Sequence, residues 1–177
     1  IAVTIMNPVQ GLIIGFFGGF ATAASVMIGH LLGKNEKQHA YQTAQHILRL
    51  GAILSLIVGV VYLFFNSFYL KLYSLDAFSY RLTTTLMLMM VIFIPIKITN
   101  MIITTGVLSA GGETKFVLYQ SIFGAWGFAI PLGLLSAFVF HLPIYWVFVA
   151  ISFEEIIRVA LCLWKMKKRT WLNTLVE

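Results

Sequence analysis

The sequence predicts an all-α, polytopic membrane protein, and three observations carry that prediction. Of the 177 residues, 60% are hydrophobic and only 10% are charged, where globular domains run near roughly 45–50% and 25%. The charges cluster, so that Ile1–Gly33, Leu50–Leu70, Leu82–Ile96 and Phe116–Phe153 contain none. A helix crossing the hydrocarbon core needs about 20 mostly apolar residues. Finally, the basic residues alternate in density from one loop to the next.

Five spans follow, at about 5–32, 47–68, 82–108, 115–138 and 143–164, ahead of a basic tail over 165–177. The first is rich in small residues, with Gly11, Gly15 and Gly19 four apart and Gly29 and Gly33 repeating the spacing. That spacing lets helix backbones approach, so this face is expected to be buried against other helices. Pro8 is placed to bend the start of the span. After Gly33, Asn35 with Gln38 three residues on reads as a capping-box helix start. His39, Gln42, His46 and Arg49 then fall on one side, which makes the beginning of the second helix a polar, solvated extension.

Pro95 and Pro131 sit inside the third and fourth spans, where each leaves a carbonyl without its usual donor and permits a kink. Between those spans the glycine pair of "SAGGETK" ends one helix, and Glu113 or Thr114 can cap the next. The uncharged run from Phe116 to Phe153 is too long for one span, and "FHLP" (Phe140–Pro143) is its natural break.

Lys34, Lys37 and Arg49 flank the first loop, Lys115 follows the third, and Lys165, Lys167, Lys168 and Arg169 close the last span. The second and fourth loops offer only Lys71 and Arg81. Eight against two is the positive-inside pattern, so the C-terminus is expected in the cytoplasm. The net charge of +6 is thereby a topology signal and does not point to nucleic acid. Cys162 is the single cysteine, which excludes an internal disulfide. The odd number of spans and the abrupt apolar start suggest part of a longer polypeptide.

Enzymatic motifs are lacking: there is no GxSxG, no HExxH and no supported Cys–His pair. His39 and His46 are two turns apart, about 10 Å along the axis, too far to share a metal ion. "GHLLGK" has too few residues between its glycines for a phosphate loop, and Asn35 stands where Ser or Thr is required.

The informative groups are the ionisable ones inside the membrane: Lys97 on the third span, and Glu154, Glu155 and Arg158 on the fifth. Counted from the basic ends of their spans, Lys97 and the two glutamates lie at similar depth, about 15–21 Å in. A charge at a helix centre costs about 2.5–3.5 kcal/mol even on a lenient scale. That cost falls if the four charges, which sum to zero, meet. Lys97 is therefore expected to contact Glu154 or Glu155, with Arg158 at i+4 from Glu154 and Asn100 one turn from Lys97. Such a cluster is either a self-neutralised structural link or an ion-coupling and substrate site in a water-accessible cavity. Met87, Met89, Met90, Met101 and nearby phenylalanines could add a soft apolar pocket.

"GHLLGKNEKQHA", "GVLSAGGETK", "WGFAIPLGLL" and "EEIIRVALCLWKMKKRTW", in this order and spacing, resemble the C-terminal half of the multidrug and toxic compound extrusion family. The resemblance covers essentially the whole chain. It implies twelve helices in two six-helix lobes, of which this chain carries helices eight to twelve, most of the C-terminal lobe. It implies export of organic cations and drugs across the cytoplasmic membrane in exchange for protons or sodium, with no cofactor. The implied partners are membrane lipid, the N-terminal lobe and the first helix of the second lobe. One branch of the family carries a sodium-coupling aspartate near the position of Lys97. This span has no acid, which favours the proton and casts Lys97 as a built-in cation. A lipid-linked precursor flippase and a non-transporting, truncated membrane subunit stand as alternatives.

Overall fold

The chain, seen in a computed structural model, is described over residues 2–73 and 75–172. Ser74, in the second loop, and 173–177, the end of the basic tail, lie outside the described residues. Five long helical segments follow one another: α1 (Ala2–Gly33), α2 (Lys37–Lys71), α3 (Ala77–Leu108), α4 (Thr114–Val139) and α5 (Ile144–Lys167). Each overlaps a span read from the sequence, although α2 and α3 begin well ahead of theirs. The first four are long and apolar enough to cross a membrane. α5 has the length, about 36 Å at 1.5 Å per residue, but carries Glu154, Glu155 and Arg158 in its middle. Large apolar side chains such as Leu56, Phe64, Ile92, Trp126 and Phe138 are exposed on the outside of the bundle. An exterior this apolar suits lipid, and the chain is a multi-pass membrane protein.

Small residues on α2 pack closely against α3. The buried stripe of α2 runs Ala40, Ala44, Ile47, Gly51, Ser55, Gly59, Tyr62, Asn66 and Leu70, an unbroken helical period of three and four. A methyl group added at Gly51 would collide with Ile102 of α3, and one at Gly59 would lie 3.2 Å from Val91. This is the small-residue approach that membrane helices use in place of a hydrophobic drive. The sequence reading had put that role on α1. There, a methyl group added at Gly11, Gly15, Gly19, Gly29 or Gly33 would meet nothing from the rest of the described residues within 4 Å. α1 instead buries Phe17, Ala21, Ala24, Ile28 and Leu32, a face on the other side of the helix. Gly106 of α3 packs there, its absent Cβ 3.2 Å from both the Ala21 carbonyl oxygen and the Ala24 methyl.

The last seven residues of α3, Ile102–Leu108, are wound as a π-helix, and six of them are buried. A wider turn presents more side chains to one side, and the price is a shifted hydrogen-bond ladder. Thr104 Oγ1 donates to the Asn100 carbonyl at 2.8 Å, and Ser109 Oγ to the Thr104 carbonyl at 2.7 Å. These hydroxyls supply donors where the ladder shifts. In α4, Pro131 follows a π segment at Ala125–Ala129 and precedes another at Leu135–Val139. The missing proline N–H is thus absorbed by widened turns on either side.

At one end of the bundle two turns share one geometry. Asn35 (φ 60°) ends α1, with its N–H donating to the Leu32 carbonyl and the Glu36 N–H donating to that of Leu31. Gly112 (φ 80°) ends α3 in the same way, through Ser109 and, from Glu113, Leu108. Both are Schellman caps with a left-handed residue. Asn35 is therefore a helix stop. The expected capping box does not form, since α2 starts after Glu36 without a side-chain cap. Residues 165–171 fold back toward the same end of the bundle. Trp171 is fully buried against Gly111, Lys165 Nζ meets Glu113 Oε1 at 2.9 Å, and the Arg169 guanidinium lies 4.2 Å over the Tyr41 ring.

At the opposite end Tyr69 Oη donates to the Ile5 carbonyl at 2.9 Å. Asp76 there caps α3 by accepting the Ser79 N–H. Hydrogen bonds from Ser79, through its side chain and then its backbone, hold the Asp76 carboxyl below the usual range.

Candidate substrate and ion-coupling site

The charges of α5 are held by its two neighbours. Glu154 and Arg158 are one turn apart on a helix, so their side chains meet on one face. Arg158 Nη1 reaches Glu154 Oε1 at 3.3 Å and Glu155 Oε1 at 3.9 Å. Its remaining donors turn to α4, where Nε donates to Gln120 Oε1 at 3.2 Å and Nη2 to Ser121 Oγ at 3.1 Å. A guanidinium suits this task because its fixed fork of donors serves several acceptors at once. Gly124 makes the space: a Cβ there would stand 2.5 Å from Glu154 Oε1 and 2.8 Å from Arg158 Cδ.

On the α3 side, Asn100 Nδ2 donates to Glu155 Oε2 at 2.8 Å. Asn100 is 4% exposed and Glu154 9%, so both polar groups lie inside the bundle, and their partners offset the cost of burial. The buried Cys162 thiol sits 3.7 Å from Asn100 Oδ1. α3, α4 and α5 are thus joined through one polar network.

The network forms one wall of a cavity of about 470 Å³, within the ordinary range for a small-molecule site. Lys97, Asn100, Glu154, Glu155 and Arg158 all line it, so the five residues singled out in the sequence come together. Its apolar side includes Met90, Met101, Phe93 and Phe148, and the last two rings meet edge-on with centroids 6.3 Å apart. Gln10 of α1 completes the lining. Met87 is in the packed core, and Met89 lies by a separate surface depression near Tyr145.

One expected contact is replaced. Among the described residues Lys97 forms no ion pair within 4.0 Å and acts on Glu154 only through space, while Arg158 lies within 4.0 Å of both carboxylates. The physical reason is proximity: Arg158 lies three and four residues from the two acids on the same helix, whereas Lys97 must reach across from α3. Gln120, Ser121, Gly124 and Gln10 were missed in the sequence. The available signal was Gln120, a strong polar residue inside an uncharged run, which must find a partner once buried.

A helical, multi-pass membrane protein with a charged, drug-sized cavity between its helices is the class that this fold and site define. The sequence model of the MatE family matches residues 2–135, and the chain belongs to that family. Lys97 and Asn100 fall within the matched stretch, and the acids and Arg158 of α5 beyond it. A probable multidrug resistance protein NorM of Haemophilus ducreyi is 28% identical over 118 residues, 67% of this chain and 25% of the relative. A probable multidrug resistance protein NorM of Photorhabdus laumondii subsp. laumondii is 26% identical over 133 residues, 75% of this chain and 29% of the relative. The chain thus spans about a quarter of the length of the curated relatives it matches. No solved structure matches it.

Proposed function

We propose that this chain is most of the C-terminal lobe of an ion-coupled antiporter that exports organic cations and drugs across the cytoplasmic membrane, with its C-terminus inside. The observation that carries the reading is the charged network lining a drug-sized cavity at depth in an otherwise apolar bundle. Family membership and the multidrug-resistance names of the relatives support it. Polar clusters at this depth in polytopic proteins mark ion and substrate pathways. The role is transport and not enzymatic chemistry.

In this reading Glu154 and Glu155 attract the cationic substrate, and Arg158 and Asn100 hold them when it is absent. Alternating access rocks one lobe against the other around a site between them. A movement that separates α5 from α3 or α4 breaks the Asn100–Glu155 or Arg158–Gln120 bond. Such a change makes the proton affinity of the acids depend on the conformational state, as proton coupling requires. The proton is the coupling ion because Lys97 already supplies a fixed cation where a sodium site would need an acid.

Reconstituted full-length protein tests this with ethidium as the exported cation. An imposed pH gradient should drive ethidium movement without sodium. Movement driven by a sodium gradient at clamped pH would overturn the proton assignment. No movement under either gradient would leave the non-transporting subunit.

A further inference from the structure

Lys97 acts on Glu154 through space but, unlike the other charged groups around the cavity, closes no ion pair among the described residues. Glu154 and Glu155 share Arg158, Glu155 also accepts from Asn100, and Arg158 further donates to Gln120 and Ser121. Lys97 lines the same cavity but, among the described residues, has neither an ion pair within 4.0 Å nor a side-chain hydrogen bond. An ammonium carries three donors, and this one, on a half-buried side chain, opens onto the cavity where a ligand can reach it.

The consequence for a ligand is asymmetric. A cation entering the cavity must draw a carboxylate away from Arg158 or Asn100. An acid finds a cation with no bond to break. The rest of the wall, with Met90, Phe93 and Phe148, suits an apolar body. We propose that this cavity also binds amphipathic acids, with the acidic head on the Lys97 ammonium and the apolar body against those three side chains. The proposal rests on the transporter reading and widens its ligand class beyond organic cations. The head group has two physical sources, a soluble amphipathic acid or an acidic lipid of the bilayer.

The test is fluorescence binding to the full-length protein in phosphatidylcholine nanodiscs, with N-dansyl-leucine and its uncharged methyl ester. The acid should bind at least about tenfold more tightly than the ester, as a charge-assisted hydrogen bond provides. Lys97→Arg should keep that preference, and both Lys97→Met and Lys97→Gln should erase it at a thermal stability matching the wild type. Lys97-dependent loss of dansyl-leucine binding when phosphatidylglycerol is added supports the lipid as occupant, and unchanged binding supports the soluble acid. Equal affinity for acid and ester, or a preference that survives in Lys97→Met and Lys97→Gln, overturns the proposal. Ethidium transport by the same preparations is scored separately. Its failure would count against the antiporter, whereas failure of the binding preference alone would count only against the acid.

Discussion

Asn100 on α3 and Glu155 on α5 are joined by a single 2.8 Å hydrogen bond, and through it the π-wound helix communicates with the charged helix. The same Asn100 offers its backbone carbonyl to Thr104 at the start of the π turn. One residue thus couples the winding of α3 to the position of a carboxylate.

Removing the Asn100 amide should therefore cost stability as well as function. Asn100→Ala leaves Glu155 without its α3 partner, and hydrogen bonds to charged groups are worth about 1.5–3 kcal/mol. Interhelical bonds in membranes average lower, near 0.6 kcal/mol, so a loss of about 1–2 kcal/mol is expected. Glu155→Gln keeps an acceptor for Asn100 Nδ2 and should cost less. Thermal unfolding in detergent, followed by tryptophan fluorescence, ranks the two. The opposite order would mean that the charge matters more than the bond.

The glycines of α2 should be less replaceable than those of α1. Gly51→Val forces Ile102 of α3 aside, and overpacking of this kind costs about 1–3 kcal/mol. Gly15→Ala meets nothing within 4 Å among the described residues, so these helices should keep their packing. Cross-linking between cysteines placed on α2 and α3 reports the difference, and loss of the cross-link in Gly15→Ala would be contrary to this packing.

The C-terminal segment should hold the two Schellman turns together. Trp171 is fully buried, with its Nε1 donating to the Met166 carbonyl at 3.1 Å, and Trp→Ala at such sites costs about 3–5 kcal/mol. A side chain at Gly111 would strike the Trp171 backbone. Trp171→Ala and Gly111→Val should both expose 165–172 to trypsin, which has Lys165, Lys167, Lys168 and Arg169 to cut. Wild-type cleavage rates in both variants would show that the segment is not held there.

Topology follows from the basic asymmetry. Asn35→Cys should resist an impermeant thiol reagent in intact cells, and Ala77→Cys should react. Cys162 is buried and should add little background. The reverse pattern would invert the proposed orientation.

The helices were legible in the sequence because membrane spans announce themselves by composition alone. That Lys97, Asn100, Glu154, Glu155 and Arg158 line one cavity could be anticipated, because an ionisable or amide side chain inside an apolar run is a local cost visible without coordinates. Partner choice was legible only in part. The i,i+3 and i,i+4 spacing already offered Arg158 to the two acids, but whether Lys97 reaches them as well depends on the separation of α3 from α5, which no single-helix pattern encodes. The small residues that pack within this chain were not singled out: α1 has the denser glycine repeat, yet α2 buries Gly51, Ser55 and Gly59. Asn35 misled through its ambiguity, since asparagine serves both as an N-cap and as a left-handed helix stop.

The central claim is that the acids of α5 couple substrate export to the proton gradient. Its most direct measurement is ethidium efflux by the full-length protein against imposed pH gradients, in wild type, Glu154→Gln and Glu155→Gln, at matched expression and thermal stability. The account predicts that at least one neutralised variant binds ethidium yet loses the dependence of export on the gradient. Export with an unchanged gradient dependence in both folded variants would contradict it, leaving the network as a structural link between helices.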